Sequence, residues 1–145
     1  MSSSKKKDNL SGGMPDPSEL KYTSTHEWVR VEKNTIVVGV TDYVQSLLPD
    51  ITNVELPEPD EHHHYAAGED ISIIESLRTT HDFRAPVAGT IVGINTELLS
   101  SPELVNEDPY GEGWIVRMKP DDMGEVENLL DVYRYEENLP EEEEE

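Results

Sequence analysis

The chain contains no cysteine. Disulfides, thiolate nucleophiles and cysteine-based zinc centres are excluded together. Positive charge is scarce: 11 lysines and arginines stand against 32 aspartates and glutamates, for a formal net charge of −21. A surface of that sign repels phosphate backbones and anionic lipid, so neither nucleic-acid nor membrane partners are expected. No run of about 18 apolar residues occurs, so no segment reads as a transmembrane helix. Glycine-rich phosphate loops, serine-nucleophile motifs and His-x-x-x-His zinc helices are all missing. Outside one histidine-rich loop, the only His–carboxylate neighbours are His26–Glu27 and His81–Asp82. Adjacent residues on a strand point to opposite faces, so neither pair is a ready-made dyad. With no catalytic constellation in view, a non-enzymatic role is expected.

What is present fits one modest domain, since 145 residues bury a single core. Residues 1–19 are rich in Ser, Gly, Lys and Pro, and Lys5-Lys6-Lys7 precedes no apolar stretch. It is not expected to be a secretory signal. The lack of Arg and the presence of Asp8, Asp16 and Glu19 also make it unlike a mitochondrial transit peptide. The segment is expected to be a disordered leader, and the location cytoplasmic. The domain is expected over 20–139. Residues 140–145, a proline followed by five glutamates, form a self-repelling acidic tail.

Within the domain the pattern is mainly β. Glu27 to Val31 and Thr35 to Val40 flank Glu32-Lys33-Asn34, a hairpin with a polar turn. Thr41 reads as the N-cap of a short helix to Leu48, with Val44, Leu47 and Leu48 facing inward and Pro49 ending it. Ile51 to Leu56 is the next strand, and Glu58 to Gly68 a loop. Its His62-His63-His64 run raises a metal reading. Only His62 and His64 share a face on extended chain, with Glu61 nearby, so a solvated loop is the favoured reading. Asn95 to Asn106 is irregular with a short helical turn, and Trp114 to Met118 is the last strand. Met123, Val126, Leu129, Leu130 and Tyr133 then recur at three- and four-residue spacing, which predicts one amphipathic helix over 121–135. Trp28 and Trp114 are expected in the core.

The central stretch is Ile73 to Phe83, two apolar-rich runs around a polar tip, followed by Pro86-Val87-Ala88-Gly89 and a strand over Thr90 to Ile94. It predicts a β-hairpin with Leu77 to Thr80 at its tip. A side chain on a rigid tip is well placed to reach a partner. That side chain is Arg78.

These stretches assemble into a resemblance. Leu20-Lys21-Tyr22, His26-Glu27-Trp28-Val29, Val38-Gly39-Val40-Thr41-Asp42-Tyr43, Val54-Glu55-Leu56-Pro57, Glu75-Ser76, Asp82, Ala85-Pro86-Val87-Ala88-Gly89, Asn95, Pro102 to Asn106 and Asp108 to Trp114 fall in order. Over about Leu20 to Leu139 the chain resembles the H protein of the glycine cleavage system. The resemblance implies a barrel-sandwich hybrid of the lipoyl type, mainly β, with short helices and a C-terminal helix. It also implies a carrier rather than an enzyme. In that family a lipoyl group on a tip lysine visits glycine decarboxylase, the aminomethyltransferase and lipoamide dehydrogenase, after attachment by a lipoate–protein ligase.

The family's Glu-Ser-x-Lys aligns here with Glu75-Ser76-Leu77-Arg78. A guanidinium stays protonated and does not accept an acyl group, so no lipoate is expected on this chain. Pro49 in place of a usual Gly, and a longer loop from Pro59 to Tyr65, are further departures. The resemblance also implies that Glu75, Ser76 and Asp82 flank the attachment point, and that Glu27, with Thr25 beside it, belongs to the cleft that holds the family's aminomethylated arm. Arg78 is then expected either to sit among Glu75, Asp82 and Glu27 as a mimic of that cationic arm, or to stand free at the tip. Three functions stay open: an H-like docking protein without lipoate, an ordinary carrier bearing a lysine-to-arginine change, and a lipoyl-fold module reused for another partner.

Overall fold

The computed structural model describes residues 19–140. The leader and tail expectations fall on residues 1–18 and 141–145, outside the described residues. The first hairpin forms as its β-branched alternation requires. Lys21–Tyr22 (β1) pairs with Glu27–Glu32 (β2), and β2 pairs with Thr35–Val40 (β3). The turn is tighter than expected, since Glu32 pairs with Thr35 and Lys33 takes a left-handed φ of 60°. Asp42–Leu47 (α1) follows. Val44 and Leu48 are buried, but Leu47 is exposed, because a single helical turn and a half offers the core only one narrow stripe. The Thr41 hydroxyl does not cap this helix. It lies 2.7 Å from the Tyr135 hydroxyl instead.

Ile51–Val54 (β4), Asp70–Ser76 (β6) and Thr80–Arg84 (β7) make a three-stranded antiparallel sheet in the order β4-β6-β7. Between β4 and β6, His64–Tyr65 (β5) forms a short strand within what reads as loop, pairing with Gly89–Ile94 (β8). The last strand is Val116–Pro120 (β9), displaced two residues from the expected Trp114 to Met118. It lies between β3 and β8, completing a six-stranded sheet in the order β1-β2-β3-β9-β8-β5. Ile115 and Val116 are both buried, so the alternation expected across them fails at the strand entrance.

Val38, Ile36, Ile91 and Met118 of the larger sheet and Val54, Ile74 and Phe83 of the smaller one belong to one core. Two antiparallel sheets over a shared core, with short helices around them, are the mainly β arrangement expected. A second cluster holds Leu20, Tyr22, Trp28, Val37 and Tyr135. Trp28 is fully buried and donates its indole N–H to the Pro109 carbonyl at 2.9 Å, which anchors the Asp108–Gly113 turn. Gly39 permits this, since a Cβ there would meet the indole nitrogen at 2.7 Å. Trp114 is only half-buried, at the edge of that cluster.

The single C-terminal helix is replaced by two, Met123–Glu127 (α3) and Val132–Glu137 (α4). Leu130 breaks the helical run by bridging to Tyr22, its N–H donating to the Tyr22 carbonyl at 2.9 Å and its own carbonyl accepting at 2.8 Å. Asp122 and Asp131 then cap the two helices separately. Tyr133, placed inward by the periodicity, is exposed, whereas Tyr135 is buried. Asn95–Asn106 contains a 3₁₀ turn over Thr96–Leu99 and, beginning at its end, Leu104–Glu107 (α2). Asn106 accepts from the Ile51 N–H at 2.9 Å and donates to the Leu48 carbonyl at 3.0 Å. That side chain fixes where β4 begins.

Candidate functional site at the β6–β7 hairpin

The hairpin is the feature the sequence singles out, and its tip is Leu77-Arg78-Thr79. Ser76 organises it. The Ser76 hydroxyl accepts from the backbone N–H of Arg78 at 3.2 Å and of Thr79 at 3.1 Å, and donates to the Thr79 carbonyl at 3.0 Å. The Ser76 N–H closes the turn on the same carbonyl at 2.8 Å. A serine at the end of β6 therefore satisfies the tip's backbone and holds Arg78 outward. Leu77 is 71% exposed and Arg78 is exposed beside it.

Of the two settings expected for Arg78, the gathering of carboxylates does not form. Among the described residues, no ion pair within 4.0 Å involves Arg78. Asp82 pairs with Arg84 at 3.7 Å, and Glu75 accepts from the Asn53 side chain at 3.2 Å. Glu27 is beyond reach. Its carboxylate meets the backbone N–H of Arg84 at 3.2 Å, at the far end of β7. The steps from Thr80 to Arg84 alone span about 13 Å of strand. An extended arginine side chain reaches roughly 7 Å. The geometry thus selects the free-standing Arg78 over the docked one.

Glu27 and Thr25 do come together, in a setting drier than expected. Glu27 is 0% exposed. Its Oε1 accepts from the hydroxyls of Thr23 and Thr25, each at 2.6 Å, while Oε2 accepts from the Arg84 N–H. Burial pushes the Glu27 carboxyl above the usual carboxylate range, and those three hydrogen bonds pull the other way. The carboxylate ties the β1–β2 turn of one sheet to the β7 strand of the other. Both of its oxygens already accept from the protein.

Beside it lies a polar network that the sequence did not disclose. His26 has a left-handed φ of 76°. Its N–H donates to the Thr23 carbonyl at 3.1 Å and its carbonyl accepts from the Thr41 N–H at 3.1 Å. Those contacts hold a conformation that non-glycine residues rarely adopt. The ring Nδ1 lies 2.9 Å from the Tyr135 hydroxyl, and the ring packs on Tyr43 with centroids 4.7 Å apart. Burial lowers the His26 pKa and drives the Tyr135 phenol up to about 12. His81, on the inward face of β7, is held below its usual pKa first by burial and then by His26. Its Nε2 is shielded from solvent and has no hydrogen-bond partner among the described residues. His26 and Tyr135 are 109 residues apart, so no local motif could have signalled the pair.

The histidine-rich loop disperses. His64 reaches Asp121 at 2.5 Å, His63 stacks on Tyr65, and His62 is 3.8 Å from Glu61. No group of three or more His, Asp or Glu suited to a metal occurs among the described residues.

The sequence profile of the family described as Glycine cleavage H-protein matches residues 20–142. The chain belongs to that family. It is 52% identical over 128 residues to the Glycine cleavage system H protein of Aeromonas salmonicida, covering 88% of this chain and 97% of that one. To the protein of the same name from Thermus thermophilus it is 50% identical over 126 residues, covering 87% and 97%. The crystal structure of a glycine cleavage system H protein from Mycobacterium marinum matches with a TM-score of 0.74 at 32% identity. That match covers 86% of this chain and all of the other. The barrel-sandwich fold is therefore that of the glycine cleavage H proteins. Among the described residues, no helix is long and apolar enough to cross a membrane.

Covalent lipoate does not fit the tip as it stands. An acyl group needs an amine that can lose its proton, and Arg78 offers only a guanidinium. Lys21, Lys33 and Lys119, the lysines among the described residues, lie on the six-stranded sheet or its β2–β3 turn, none on the hairpin.

Proposed function

We propose that this chain is an H-type docking protein of the glycine cleavage machinery that is not lipoylated, with Arg78 at the position of the family's attachment lysine. The observation that carries the reading is the hairpin itself. Its serine-locked tip presents Arg78 outward, in an otherwise H-type fold. The role is non-enzymatic and cytoplasmic. The partners are those the family implies: glycine decarboxylase, the aminomethyltransferase, lipoamide dehydrogenase and a lipoate–protein ligase. Glu75, Ser76 and Asp82 frame the tip, and Glu27 with Thr25 fixes the strand that carries it.

The competing reading is an ordinary aminomethyl carrier bearing a lysine-to-arginine change, and the intact hairpin supports it equally. Incubation with lipoate, ATP and a lipoate–protein ligase, followed by intact mass, tests the proposal beside R78K. The expected result is no lipoyl mass on the native chain and one lipoyl group on R78K. A lipoyl adduct on the native chain would overturn the proposal. Failure of both chains to gain mass would favour a lipoyl-type fold reused for an unrelated partner. A carrier altered at one residue further predicts that lipoylated R78K restores glycine decarboxylation at a normal rate, whereas a dedicated docking protein would not.

A further inference from the structure

A groove of about 660 Å³ lies away from the hairpin, and no residue of β6 or β7 lines it. Its walls are α1, residues 106–110 at the end of α2, and α4, three segments distant in sequence. Buried Tyr22 and Tyr135, stacked with centroids 4.7 Å apart, form its base. The half-exposed rings of Tyr43 and Tyr110 rise along its sides. The Tyr110 hydroxyl accepts the Asp42 N–H at 2.9 Å, which fixes that segment against α1. The groove is therefore a built concavity with rigid aromatic walls.

Its charge is of one sign. Asp42, Glu107, Asp108 and Glu136 line it, and among the described residues no lysine or arginine does. Two of these carboxylates are spent within the fold, since Asp42 accepts from Gln45 at 2.8 Å and Asp108 from the Glu112 N–H at 2.9 Å. Glu107 and Glu136 are exposed, and neither side chain has an ion pair or hydrogen bond among the described residues. Long cationic side chains lay apolar stems on aromatic rings and carry their heads to carboxylates. Carboxylates placed on three separate elements spread the charge along the groove, which suits several linked cations better than one amine.

We propose that this groove docks a lysine- or arginine-rich peptide segment of a partner protein, its stems against Tyr43 and Tyr110 and its heads at Glu107 and Glu136. The inference is independent of Arg78 and of the carrier reading.

The probe is hexalysine, titrated into the full-length, isotope-labelled chain and read by amide chemical shifts, with hexaglutamate and n-butylamine as comparisons. The expected result is saturable shifts confined to Tyr43, residues 106–110 and α4. The E107Q/E136Q double variant is expected to weaken the Kd roughly three- to tenfold, the loss of two exposed charge contacts. R78A should leave the Kd unchanged. Shifts scattered over the whole acidic surface, or equal binding to the double variant, would overturn the proposal. So would n-butylamine saturating the same residues as tightly, since that would make the groove a simple amine site. A final arm replaces Lys5, Lys6 and Lys7 with serine. Groove shifts produced by that change in the absence of peptide would assign the groove to the chain's own lysine run and refute a partner segment.

Discussion

Replacing Glu27 separates two contributions that a buried carboxylate makes to the same fold. Glu27→Ala removes the acceptor for three donors, the Thr23 and Thr25 hydroxyls and the Arg84 N–H. The hydroxyls can rotate toward other acceptors, but the Arg84 amide is fixed by β7. One orphaned buried donor costs about 1–3 kcal/mol. The cavity left by the side chain adds to it, so the loss is expected at about 2–4 kcal/mol. Glu27→Gln keeps the shape, an acceptor for the Arg84 N–H, and an amide that can donate to the threonine oxygens. It also removes a charge that burial opposes. Its cost at pH 7 should be under about 1 kcal/mol.

The pH dependence gives the sharper test. The folded carboxyl has a raised pKa, so the folded state binds the Glu27 proton more readily than the unfolded chain does. The native protein therefore gains stability relative to Glu27→Gln as pH falls through the raised value. The gain levels off below the ordinary glutamate range. Urea unfolding of the native protein and both variants between pH 4 and pH 8 measures it. Equal destabilisation by Ala and Gln, with a pH-independent difference between native protein and Glu27→Gln, would refute the reasoning.

Two further outcomes follow from the network beside it. Tyr135→Phe removes the hydroxyl shared by His26 and Thr41 while keeping the ring stack on Tyr22, and should cost about 1–2 kcal/mol in urea unfolding. Burial holds both His26 and His81 below the ordinary histidine pKa, so the unfolded chain takes up their protons first. Their contribution to stability should be complete above that value and be lost as pH falls below it; His81→Gln should flatten part of that slope, measured from urea midpoints.

Much of the strand pattern was legible because it depends on nearest neighbours in sequence. The alternation in Glu27–Val40 and Ile73–Phe83, and the turn residues between the runs, specify hairpins whatever they pack against. The C-terminal segment misled because its spacing satisfies one helix, yet Leu130 gains a backbone pair with Tyr22 that no periodicity reports. Leu47 and Tyr133 went outward for a related reason. An apolar residue at helical spacing is buried only where a neighbouring element covers that angle of the helix, and no described element does so there. Arg78 was placed at the tip correctly from local pattern alone. Which of its two expected settings it takes was not legible there, because the distance along β7 to Glu27 is a property of strand geometry.

The sequence by itself determined the charge of the surface, the mainly β class, the hairpin and the identity of its tip residue. Each is written in composition or in contacts between residues a few positions apart. Only the tertiary structure decided that Glu27 is sealed between Thr23, Thr25 and β7, that His26 turns to Tyr135, and that three distant segments enclose an acidic tyrosine groove. Those arrangements arise where the two sheets and the C-terminal helices meet. Buried polar groups must find partners there, and the partner is set by proximity in space across many tens of residues.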